Sequence, residues 1–244
     1  MILHFSEEKL ELTKCNVCNT ENTDLSLRCS SCGGLLQQRA KTLDLFATLF
    51  NVWRYPDFTF RKIILAEHRN YAFLIALLEA VGMSFLFLFT VKAGDIFSIE
   101  LIRLLSTGLG FAVAAYLPFL YLFCLLSYFL SRASQTGASL RGFMAGMIYA
   151  MHPIALSAIV ILPLEVAVFG PYVFSNNPSP LTINPAPFYL LGILDCLLGF
   201  AAIMFVARLS KLLFGTRKKA IIFVGIFFIL FIVSVELTKR ILVG

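Results

Sequence analysis

From residue 71 onward, long apolar runs alternate with short polar breaks, and five runs reach the ~20 residues a helix needs to cross a ~30 Å hydrocarbon core. They cover about 71–91, 107–130, 143–166, 188–207 and 220–237. The pattern predicts an all-α integral membrane protein with five transmembrane helices over 71–244. Upstream, residues 41–70 read differently. Leu43, Phe46, Phe50 and Trp53 recur at helical spacing, with Asp44, Thr48 and Asn51 on other faces. That is an amphipathic helix, lying on lipid or packed against the spans, with Trp53 and Tyr55 suited to the headgroup level. Pro56 ends it, and Phe58 to Ala66 carries Arg61 and Lys62 to the membrane surface. A second amphipathic piece, Ile96 to Leu105, precedes the second span. The segment Gly170 to Pro187 contains Pro171, Pro178, Pro180, Pro185 and Pro187 and is expected to be an extended, non-helical external loop.

Composition agrees with the pattern. Hydrophobic residues make up 59% of 244, charged residues 14%, and the mean hydropathy is +0.86, far from a soluble domain with ~25% charged residues. The net charge is +6, but the basic residues flank apolar runs instead of forming a patch interleaved with aromatics, which argues against nucleic acid as a partner. Their distribution predicts topology. Sixteen Lys and Arg fall before the first span and in the second and fourth connections, against four on the other side. Cytoplasmic flanks carry such an excess. The N-terminus is expected inside and the C-terminus outside, in the cytoplasmic membrane of a prokaryote, with an endomembrane as the alternative. Met1-Ile-Leu-His-Phe lacks a basic stretch followed by an apolar run and a cleavage site, so no signal peptide is expected.

The strongest chemical motif lies in residues 1–40. Cys15-Asn-Val-Cys18 and Cys29-Ser-Ser-Cys32 are separated by ten residues and followed by Gly33. Two such pairs can close a tetrahedron around zinc, and Gly33 supplies a permissive backbone after the second. Few apolar residues lie between Leu12 and Leu36, so metal binding would drive the folding of this ribbon. Four protein ligands leave no open position, which makes the site structural. Iron, two disulfides and a redox dithiol are the rivals; disulfides conflict with a reducing cytoplasm. Cys124 and Cys196, inside apolar runs, read as small hydrophobes.

Glu79, His152 and Asp195 fall inside spans, where ionisable groups cost ~2.5 to 3.5 kcal/mol on insertion scales. They either converge on a proton or ion path or make structural hydrogen bonds, with His152-Pro153 marking a kink. Gly142, Gly146 and Ala150 place small residues on one face of the third span, for close helix packing within the bundle or between protomers of a homo-oligomer. No Gly-x-Ser-x-Gly, His-Glu-x2-His or phosphate-binding loop occurs, and an enzyme is not expected.

The amphipathic lead-in, the Pro56-x3-Phe60-x2-Ile63 segment, the Gly146-Met-Ile-Tyr-Ala-Met-His-Pro153 stretch and the five-span layout resemble the Ypt-interacting-protein (Yip) domain family over Leu43 to Leu237. The Cys-x2-Cys ribbon in front resembles many of its prokaryotic members. The Asp-Leu-x-Gly-Pro sequence of eukaryotic members is absent. The resemblance implies this fold and topology and a non-enzymatic adaptor or assembly role, with the ribbon engaging a cytoplasmic partner and the spans another membrane component. The alternatives are a small transporter using the intramembrane acids and a lipid-binding or membrane-shaping protein.

Overall fold

The computed structural model describes residues 12–23, 26, 28–36, 43–66, 71–96, 100–132 and 139–214, and positions 225, 226, 229, 232, 233, 236 and 240. Strands β1 (Leu12–Lys14) and β2 (Glu21–Thr23) pair antiparallel, with Leu12 opposite Thr23 and Lys14 opposite Glu21. A bridge between Arg28 and Leu35 brackets the second cysteine pair. Too few apolar side chains are buried here to hold these short strands together.

The helical body begins at α1 (Leu45–Arg54) and α2 (Pro56–Leu65). Asp44 caps α1, its Oδ1 accepting from the Ala47 amide at 2.7 Å. Pro56 cannot donate a backbone hydrogen bond, so it ends α1 and opens α2, where its fixed φ suits the first helical position. The predicted apolar stripe of α1 is divided. Leu43 and Val52 are buried, whereas Phe46 and Phe50 are 80% and 63% exposed. The helix therefore packs one face on the bundle and holds out a second apolar face.

Helix α3 (Ala72–Val91) is followed by the short α4 (Ala93–Ile96). Helix α5 (Leu101–Phe111) runs through a π-helical turn (Ala112–Tyr116) into α6 (Leu117–Arg132). Helix α7 (Leu140–Leu156) likewise runs through a π-helical turn (Ser157–Ile161) into α8 (Leu162–Phe169) and a 3-10 turn (Gly170–Phe174). Helices α9 (Pro180–Ile183) and α10 (Pro185–Phe214) complete the described body. Four helices, Ala72–Val91, Leu101–Leu126, Leu140–Phe174 and Pro185–Phe214, are long and apolar enough to cross a membrane. At 1.5 Å per residue the last is about 45 Å long, more than a hydrocarbon core requires.

Two expectations change. The Ile96 to Leu105 piece is not separate, because Leu101 opens the second long helix. The Gly170 to Pro187 segment is not non-helical: it contains the 3-10 turn and α9, and Pro185 starts α10. Prolines at the first helical positions explain this, since the missing N–H is one that a helix start leaves unpaired anyway. The fifth span, 220–237, lies largely outside the described residues, although 225, 226, 229, 232, 233 and 236 are helical.

One core joins α1, α2, α3, α6, α7 and α10 around Phe60, Ile63, Met147, Tyr149 and Leu209; another joins Phe85, Leu88, Leu104, Phe169 and Phe174. The outer surface is as apolar as the inside. Leu86, Leu109, Leu122, Phe129, Val160, Ile193, Leu197 and Phe200 are all exposed, while Glu79 and His152 are buried. In water such a surface would be an aggregation liability; in lipid hydrocarbon it costs nothing.

Candidate functional site

The ribbon is built from two copies of one turn. In the first, the Asn19 amide donates to the Cys15 carbonyl at 2.9 Å, and the Val17 amide points at Cys15 Sγ at 3.4 Å. In the second, the Gly33 amide donates to the Cys29 carbonyl at 3.0 Å, and the Ser31 amide points at Cys29 Sγ at 3.4 Å. Each turn ends on a left-handed residue, Asn19 at φ 56° and Gly33 at φ 71°. Asparagine and glycine are the residues that adopt this conformation most readily. Gly33 has the role its position predicts, and Asn19 takes the equivalent one.

The turns face each other across the cluster. Cys15 Sγ lies 3.6 Å from Cys32 Sγ, and Cys18 Sγ lies 3.4 Å from Cys29 Sγ. All four sulfurs fall within 4.8 Å of one another. A zinc tetrahedron with Zn–S bonds of ~2.3 Å has sulfurs ~3.8 Å apart, so the spacing fits a tetrahedral ion. All four cysteines are free, and these distances lie well outside a disulfide bond. The surroundings favour thiolate at Cys29, whose thiol is pulled down to about 6 by the amides of Cys32 and Ser31, with Asn22 adding a side-chain donor. At Cys32 the Gly34 amide lowers the value, but the thiols of Cys18 and Cys15 prevail and push it up to about 12. Hydrogen bonding among the neighbouring sulfurs keeps that proton in place, and a bound cation would displace it.

Asn22 is a site residue that spacing does not reveal. Its Nδ2 donates to Cys29 Sγ at 3.4 Å and to the Thr20 carbonyl at 2.8 Å, while its Oδ1 accepts from the Ser30 amide at 2.9 Å. It is buried and ties β2 to the second turn. The only sequence signal is a lone amide in a polar loop, which is weak.

The three predicted polar residues of the helices occupy different surroundings. Glu79 is fully buried, near Tyr116 and Cys124, and among the described residues neither of its carboxyl oxygens has a hydrogen-bond partner. Replacing it by Met removes an unpartnered polar group from the core, worth ~1 to 3 kcal/mol. The expected result is a higher unfolding temperature in detergent; a lower one would show that Glu79 has a partner in the folded protein.

His152 has a structural explanation. Pro153 has no N–H, so the carbonyl four residues back, on Tyr149, loses its helical donor. His152 Nδ1 lies 2.7 Å from that carbonyl and fills the gap as N–H donor. The imidazole stacks on Phe205 (5.5 Å, 16°), and Trp53 meets both rings edge-on at 5.8 and 5.0 Å. This cluster fastens α1 to α7 and α10.

Asp195 belongs to a third setting. It accepts a hydrogen bond from Ser157 Oγ at 2.5 Å and, with Glu165, lines a cavity of about 370 Å³. Glu79 and His152 do not line that cavity.

The small-residue face of α7 packs inside the bundle. Gly142, Gly146 and Ala150 are all buried, and a Cβ on Gly146 would meet Leu209 at 3.1 Å and Ile64 at 3.6 Å. Tighter still is Gly82 of α3, which spacing arguments pass over: a Cβ there would stand 2.8 Å from the Ile154 carbonyl oxygen.

No protein-family model matches the chain, and neither a curated protein nor a solved structure matches it.

Proposed function

We propose that the chain is a multi-pass membrane adaptor or assembly factor, non-enzymatic, whose N-terminal ribbon holds a structural zinc ion and docks a partner protein from the cytoplasm. The observation that carries this reading is the closed four-sulfur cluster with apolar side chains held out beside it. Four cysteine ligands leave a metal no position for water or substrate. Val17 and Leu35, next to the cluster, are 75% and 66% exposed. A ribbon this small has no stability to spare for exposed apolar surface, and such residues suit an interface.

The rest of the molecule supports a membrane setting. Four long apolar helices present hydrocarbon-compatible faces, and Phe46 and Phe50 of α1 suit the lipid boundary, with Arg54, Arg61 and Lys62 near the headgroups. The excess of basic residues on one side supports a cytoplasmic ribbon. The Yip-like motifs, including Pro56-x3-Phe60-x2-Ile63 and Gly146 to Pro153, are consistent with the same adaptor role.

The test is a ribbon surface variant that spares the ligands. Val17→Asp combined with Leu35→Asp is expected to keep its metal but to lose co-purifying protein from gently solubilised native membranes. Unchanged co-purification would remove the ribbon from partner recruitment.

A further inference from the structure

Between α3, α7 with its π-helical turn and α8, and α10 lies a cavity of about 370 Å³. Its volume is in the range of small-molecule sites, which are characteristically apolar with a few convergent polar groups. Phe85, Leu162, Phe174 and Phe188 supply apolar walls, and the side-chain polarity centres on Ser157, Glu165 and Asp195.

One face of α10 creates the space. Gly192, Asp195, Cys196 and Gly199 follow one another at helical spacing, and all line the cavity. A Cβ on Gly192 or Gly199 would meet nothing within 4 Å. The opposite wall contains the π-helical turn that starts at Ser157, and such turns inside α-helices are frequent at functional sites. The turn brings the Ser157 hydroxyl to Asp195 Oδ1.

The charge in this space is one-sided. Glu165 and Asp195 line the same cavity, no Lys, Arg or His does, and among the described residues neither carboxylate is ion-paired. Two acids in apolar surroundings repel anions and are relieved by a cation. A bare metal ion fits poorly. Calcium takes about six to eight oxygen ligands, and Ser157, Glu165 and Asp195 offer fewer, with the remaining side-chain walls apolar.

We propose that this cavity binds a monovalent organic cation with an apolar body, its charge held between Asp195 and Glu165 and its body against the aromatic walls. The proposal is independent of the adaptor reading. Aromatic rings add to it, since a cation over a ring face is attracted by the ring quadrupole. The occupant's source is either a free compound or a lipid-like amine, and the two share this chemistry.

The test uses the full-length protein in nanodiscs and equilibrium binding of radiolabelled tetraphenylphosphonium, with neutral triphenylphosphine oxide as competitor. Saturable binding at one site per chain is expected, unaffected by the neutral competitor. Asp195→Asn and Glu165→Gln should each weaken it at least about tenfold, as removal of one partner from a half-buried charge pair in apolar surroundings does. Gly192→Leu keeps both acids, fills the open space beside α10 and should also abolish binding. Cys29→Ser, in the ribbon, should leave it unchanged. Displacement by dodecyltrimethylammonium supports the proposal with a lipid-like occupant, and displacement by compact cations alone supports it with a soluble one. Equal competition by the neutral oxide, or binding unchanged in both acid variants, would overturn it. Because Asp195→Asn and Glu165→Gln preserve shape, and Gly192→Leu preserves charge, a folding defect in one variant leaves the others to decide.

Discussion

Replacing Cys29 and Cys32 together by Ser is expected to empty the ribbon of metal and unfold it while the helical body stays intact. The β1–β2 pairing spans three residues on each side, and an isolated two-stranded hairpin is marginal in water. What holds it is the four-sulfur cluster, and zinc binding in ribbon-sized peptides is worth ~10 to 16 kcal/mol. That far exceeds what the buried Asn22 network or the exposed Lys14–Glu21 pair at 3.8 Å contributes. Two signals follow the change. Bound metal falls from one ion per chain to none, and limited proteolysis newly cuts between residues 12 and 36. The helical body, whose cores draw on none of these residues, should keep its far-ultraviolet helical signal and its unfolding temperature. A chelator acting on the unaltered protein should reproduce both effects reversibly. An intact, protease-resistant ribbon without metal would refute the folding role assigned to the cluster.

The second large effect comes from the same substitution made at two glycines. Gly82→Ala puts a Cβ 2.8 Å from the Ile154 carbonyl oxygen, 3.1 Å from Ile154 Cγ2 and 3.3 Å from Ala158 Cβ. The closest of these atoms is backbone, so α3 must withdraw from α7. Overpacking of this kind costs ~1 to 3 kcal/mol, and Gly82→Val, with two further methyl groups, should cost more. Gly110→Ala is the opposite case, because nothing lies within 4 Å of the added atom. There the alanine removes the entropic penalty of glycine inside a helix and should stabilise by ~0.5 to 1 kcal/mol. Thermal unfolding of both variants in one detergent gives the comparison. Opposite signs are expected; two stabilised proteins would mean that α3 and α7 do not approach as closely as the structure places them.

How much of this was legible in the residues depends on the physics behind each part. Helix length and apolar content depend on local composition, so Ala72–Val91 matches a predicted span and Pro185–Phe214 contains another, running past it at both ends. The four-cysteine cluster was legible because metal binding by thiolates needs a fixed spacing, and the four sulfurs do come together. The segment Gly170 to Pro187 misled, because its five prolines read as helix breakers when two of them, Pro180 and Pro185, open α-helices. Gly142, Gly146 and Ala150 were legible as a small-residue face; Gly82, with its tighter contact, was not, because a single glycine has no spacing to reveal it. Glu79, His152 and Asp195 were picked out by charge in an apolar run, a signal that says nothing about which of them share a site. The cavity needed Ser157 and Glu165 from α7–α8 and Asp195 from α10, brought together by tertiary packing across 38 residues of separation between Ser157 and Asp195.

The adaptor reading is tested most directly by purifying the full-length protein from native membranes in gentle detergent and measuring its metal and its protein companions in the same sample. The account predicts one zinc per chain and a stoichiometric partner that is lost from the Cys29→Ser, Cys32→Ser variant. A partner-free protein, or a partner retained when the ribbon is empty, would contradict it.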